Sequence, residues 1–235
     1  MLPKPFLKPW AAKVVAEYAI RNLGEMVSIA MRGDAQGAID YLKRAPDRDT
    51  QKAAETGSDV HDLFERMAKG ETIARVHPDY KPFVDHFDAF LQQFTPEFVF
   101  MEETVWSEAH DYAGSFDAFA IINGEAVWLD WKTTRSGVHA EVALQLNAYG
   151  NADYIIRPDG SRVPLPKGDA AGVLHVRPEG WNFHPVRYDR EVFDYFLHLR
   201  EVFRWEKEVK DGVVGAPLNV GTARRRTPAP RRTAR

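Results

Sequence analysis

The chain has 235 residues, 44% of them hydrophobic and 28% charged, enough for one sizeable soluble domain or two small ones. It has no cysteine, which excludes disulfides, thiolate-bound zinc and iron–sulfur clusters and fits a reducing, cytoplasmic setting. No apolar run approaches the ~18 residues of a membrane span, and MLPKPFLKPW lacks the apolar centre of a signal peptide. The net charge is −3, but the last fourteen residues hold six arginines and no acid, leaving −9 on the rest. That Pro/Ala/Thr-rich tail cannot bury a core, so residues 212–235 are expected to be disordered. It reads equally as a contact for nucleic-acid phosphates and as a solubilising extension.

The first half is predicted to be helical, over about residues 1–95. WAAKVVAEYAIRNLGEMVSIAM carries apolar residues at helical spacing, and DAQGAIDYLKR reads as a short second helix. SDVHDLFERMAKG reads as a third, opened by a cap at Ser58 or Asp59 and closed by Gly70. Phe83, Phe87, Phe90, Leu91 and Phe94 form an apolar stripe that marks a core-facing helix. From about residue 96 to 211 the pattern alternates. FVFMEETVWS is a predicted strand, followed by a hairpin. VHAEVALQLNAYGNA is a helix, and DYIIR is either a short strand or that helix's end. GVLHVR and NFHPVRY are strands, and DREVFDYFLHLREVFRWEKEVK is a final helix with Phe193, Phe196, Leu199 and Phe203 on its buried side. This order predicts an α/β sandwich around a mixed sheet, in one domain over residues 1–211.

The hairpin SFDAFAIINGEAVWLDWKTT concentrates the chemistry. Asn123-Gly124 is a strong two-residue turn signal. It places Ile122 opposite Glu125 and, by strict alternation, Asp117 opposite Asp130, with Cβ atoms ~4.5–5.5 Å apart. Two carboxylates that close repel unless a cation lies between them, and a divalent ion suits hard oxygen ligands. Lys132 follows Asp130 by two, on the same strand face. The alternative is a plain salt bridge between Lys132 and either acid. Gln145 and Tyr149 share one face of the next helix, as ligand-side residues or as a buried hydrogen-bonded pair. Trp128 shares the face of Asp130, where it either stacks on a base or belongs to the core.

Gly114-Ser115-Phe116-Asp117, Asp130-Trp131-Lys132 and Gln145-Leu146-Asn147-Ala148-Tyr149, in that order and spacing, resemble the PD-(D/E)XK nuclease superfamily in its RecB-like exonuclease branch. The layout is also similar to the stand-alone exonucleases of bacteriophages. The resemblance implies a restriction-endonuclease-like core, a central mixed β-sheet flanked by helices. It implies a metal-dependent DNA exonuclease serving phage replication or recombination, in the host cytoplasm. Within the same fold the alternatives are a structure-specific or restriction-type endonuclease, or a catalytically decayed DNA-binding module.

By the same resemblance Lys132, Asp117 and Asp130 are catalytic. Mg²⁺ or Mn²⁺ is held by His61, Asp117, Asp130 and the backbone carbonyl of Trp131. Glu102 and Glu103 are adjacent on a strand, so one of them at most faces the site, and Glu103 better fits the family's acid near the metal. Glu103 reads equally as a cross-strand partner of Lys132 or Arg135. Gln145 and Tyr149 are substrate-side residues, with Trp128 and Arg135 as further candidates. DNA is the implied partner, with a single-strand annealing or recombination protein by analogy, no membrane, and an oligomer compatible with the pattern. No phosphate-binding G-x-x-x-x-G-K-[ST] loop occurs, so ATP use is not expected.

Overall fold

A computed structural model describes Lys4 and residues 6–216. The arginine-rich end of the chain, where the disordered tail was expected, lies beyond these residues apart from its first five. The chain opens with helices α1 (Leu7–Arg21), α2 (Leu23–Met31), α3 (Ala35–Lys43), α4 (Ala45–Ala68) and α5 (Lys81–Phe94). Strands β1 (Glu97–Ser107), β2 (Tyr112–Ile122) and β3 (Glu125–Lys132) follow, then α6 (Glu141–Gly150). Strands β4 (Tyr154–Ile156), β5 (Arg162–Pro164), β6 (Ala170–Arg177) and β7 (Gly180–Val186) precede α7 (Arg190–Arg204). The fold is therefore α/β, with a helical N-terminal region and a seven-stranded sheet in the order β5-β4-β1-β2-β3-β6-β7. Only β3 and β6 run parallel, so the sheet is mixed, as a restriction-endonuclease-like core requires. No helix among the described residues is long and apolar enough to cross a membrane.

Local chemistry explains several boundaries. Asp34 caps α3 by accepting from Gly37 N at 2.7 Å. Gly70, at φ +80°, closes α4 through bonds from Gly70 N to Met67 O and from Glu71 N to Arg66 O. Pro96 forbids further helix, and Thr95 ends α5 in the left-handed region. Two expectations need correction. The first predicted helix breaks at Asn22, whose side-chain amide donates to the Tyr18 carbonyl at 2.8 Å and competes with the helical ladder. The third does not begin at Ser58 or Asp59, because α4 runs unbroken from Ala45 through Gly57. A helical glycine costs only about 1 kcal/mol, less than the tertiary packing of the turns beyond it supplies. Tyr154–Ile156 is a strand, and β5, too short to show a pattern, escaped prediction.

The sheet carries a core on each face. On one, Phe64 of α4 and Phe83, Phe87 and Phe90 of α5 pack on Ala118, Ala120, Leu129, Trp131 and Leu174. On the other, Val142, Leu146 and Tyr149 of α6 pack on Phe116, Phe119, Trp128 and Val173. The C-terminal end of the α7 stripe departs from expectation. Phe193 is buried, but Phe203 is 51% exposed.

Candidate metal centre

The turn places the hairpin as its sequence dictates, with Asn123 at φ 51° and Gly124 at φ 85°, and Ile122 paired with Glu125. The β2–β3 pairing runs from there to Ala118 and Leu129 and stops. Beyond it the strands part. Asp130, Trp131 and Lys132 of β3 pair with Val173, Leu174 and His175 of β6, while β2 stays with β1. Asp117 and Asp130 stand at the two sides of this fork.

Strand β2 also changes phase at the fork. Ala118, Ala120 and Ile122 face the α4/α5 core, but Phe116, two residues before Ala118, faces α6. Strict alternation would put Phe116 and Ala118 on one face. Strand β1 breaks at the same level: Phe100 and Val105 both face α6 although five residues apart, and Glu102 between them has φ 50°. A non-glycine residue in that region is strained, and such residues cluster at functional sites.

Three side chains that could hold a metal ion meet at this break. Atoms of His61, Glu102 and Asp117 all lie within 4.8 Å of one another. His61 reaches the fork from α4, where Val60 and Phe64 anchor the helix in the core and Trp131 packs edge-on against the imidazole at 6.0 Å. His61 Nδ1 stands 3.7 Å from Asp117 Oδ1, too far for a hydrogen bond. Asp117 Oδ2 accepts from Trp131 N at 2.5 Å, which ties the two arms of the fork together. Lys132 Nζ donates to Asp130 Oδ1 at 2.6 Å. Asp130 is almost fully buried, and its Oδ2 has no hydrogen-bond partner.

This is a costly arrangement without a cation. Burial pushes Asp130 up to about 6 against the pull of Lys132, and neighbouring Asp117 raises it further. Asp117 is raised by burial, against the Trp131 N–H and Lys132. Desolvation, then Asp117 and Glu65, hold Glu102 up to about 7 against Lys69. Burial and the Lys132 ammonium lower His61, opposed by Asp130 and the Trp131 backbone. Each shift disfavours charge on a group that would gain from a shared cation.

A divalent ion fits these residues on two observations. An orphaned buried carboxylate oxygen points to a missing partner. One neutral imidazole with carboxylate oxygens is a donor set that Mg²⁺ or Mn²⁺ accepts.

The site differs from the expected ligand set at two places. Glu102, not Glu103, joins His61 and Asp117; Glu103 instead pairs with Arg157 at 3.1 Å. Asp130 is outside the close trio and holds Lys132, as the salt-bridge alternative anticipated. Of the substrate-side candidates, Trp128 is excluded. It is fully buried between Phe116 and Phe119 and cannot stack on a base. Arg135 is exposed in the loop after β3. Gln145 Nε2 donates to Tyr149 Oη at 2.7 Å. The Tyr149 ring underlies Gly114, where a Cβ would sit 2.5 Å from Tyr149 Cε1. That contact explains why a glycine stands three residues before Asp117.

Neither a protein-family model nor a curated protein matches this chain.

Proposed function

We propose that this chain is a metal-dependent deoxyribonuclease of the PD-(D/E)XK type, acting as an exonuclease. The observation that carries the reading is the fork: a buried, unpartnered Asp130 oxygen beside the His61–Glu102–Asp117 trio, with Lys132 held by Asp130 on the same strand. His61, Glu102 and Asp117 would hold Mg²⁺ or Mn²⁺. When bound, the ion supplies Lewis-acid polarisation of a phosphodiester and a lowered pKa for water.

The protein's own contribution is placement. Asp130 uses one of the three Lys132 donors, which fixes the ammonium and leaves the other two for a phosphate oxygen. Fixed donors stabilise charge developing in the transition state without reorganising. The Trp131 N–H holds Asp117 so that its second oxygen faces His61. Tyr149 and Gln145 support this from behind. The ring of Tyr149 sets the path of β2, and its hydroxyl is committed to Gln145. They act as positioning residues. The exonuclease assignment rests on the three sequence motifs and their order.

The test compares the protein and Lys132→Ala on linear and closed-circular DNA, with Mg²⁺ and with EDTA. Mg²⁺-dependent loss of linear DNA alone is expected, reduced at least 10²–10³-fold in the variant, roughly the effect of one lost transition-state donor. Nicked or cut circles would move the assignment to an endonuclease at the same site. DNA bound but never cut, with any divalent metal, would overturn catalysis and leave a binding module.

A further inference from the structure

A row of side chains leaves the fork in the direction away from the metal trio. Parallel pairing sets Lys132 opposite His175, and antiparallel pairing sets His175 opposite Asn182. All three lie on the α6 side of the sheet, in phase with Trp128, Val173 and Val186. Paired strands lie ~4.8 Å apart, so the row crosses three strands in about 10 Å. It opens into a groove of about 710 Å³ between the start of α6 and the β6–β7 hairpin.

The groove lining is unlike the rest of this acidic chain. His139, His175, Arg177, Asn182 and His184 line it, and no aspartate or glutamate does. His175 is buried and fixed to the Thr134 carbonyl at 2.8 Å. Asn182 and His184 are exposed, and their side chains make no hydrogen bond or ion pair among the described residues. Arg177 pairs with Glu179 at 3.0 Å, an exposed contact worth little and readily exchanged. The three imidazoles do not converge as a metal site, since the only such group among the described residues is the trio at the fork.

We infer that this groove carries the sugar–phosphate backbone of the nucleic-acid strand next to the scissile bond. The inference rests on the nuclease reading and adds to it the track of the substrate over β6 and β7. Arg177 supplies the fixed positive charge, and Asn182 and His184 donate to phosphate and sugar oxygens. Such contacts set register and carry no base information. The strand is therefore held independently of sequence.

The test is binding of a fluorescein-labelled DNA oligonucleotide, by anisotropy over a salt series, with Ca²⁺ in place of Mg²⁺ to hold it uncut. Arg177→Ala combined with Asn182→Ala should weaken binding tenfold or more and make the salt slope shallower by about one. In Mg²⁺ the same variant should raise KM with kcat nearly unchanged. Arg177→Lys should restore most of the affinity. A double variant that binds and cuts like the parent, while Lys132→Ala loses cleavage, would overturn the groove and leave the nuclease reading standing. A parent protein that neither binds nor cuts DNA would overturn both.

Discussion

The two ends of the β2–β3 hairpin obey different rules. At the turn, pairing is continuous from Ile122–Glu125 to Ala118–Leu129, and the inward side chains are apolar and packed. At the fork, one or two residues further on, pairing ends, β1 and β2 change phase, and two acids and a lysine occupy buried or half-buried positions. The closed end stabilises the molecule. The open end spends part of that stability on desolvated carboxylates.

The contrast is sharpest at Leu129, the last residue of the closed end and fully buried beside Trp131. Leu129→Ala should destabilise the fold by about 2–5 kcal/mol. Denaturant melts read this directly, and a loss below about 1 kcal/mol would show that the closed end does not carry the packing.

A second, smaller effect comes from the open end. Asp130 and Glu102 hold protons up to about pH 6 and about 7, whereas the unfolded chain releases them in the ordinary carboxylate range. Across that window the folded state binds more protons than the unfolded one. Stability of the ion-free protein therefore falls as pH rises through it. A divalent cation takes the ionised carboxylates, so its stabilisation should be slight at pH 5 and grow towards pH 8. At 100 times its dissociation constant it adds about 2.7 kcal/mol. Calorimetric melts with and without Mn²⁺ at both pH values measure this. An equal shift at the two would place the ion elsewhere.

The same division separates what the sequence reveals from what it hides. Asn123-Gly124 and the alternating apolar residues beside it give the turn and register of the closed end. The phenylalanine stripe of α5 and the capping aspartate of α3 are similarly local signals. Glu102 is hidden because its φ of 50° breaks the alternation without any local signal, and the family resemblance points to Glu103 instead. Phe98 and Phe100, which alternation would put on one face, pack on opposite faces across the register shift between them, a bulge that the apolar pattern does not announce. The unbroken helix through Gly57 depends on long-range packing, which no local pattern reports.

The most direct measurement is Mn²⁺ binding, by electron paramagnetic resonance or calorimetry, to the parent, Glu102→Gln and Glu103→Gln. A metal centre built at the fork predicts that Glu102→Gln loses most of its affinity and Glu103→Gln keeps it. Equal binding by both variants, or no Mn²⁺ bound by the parent, would contradict it.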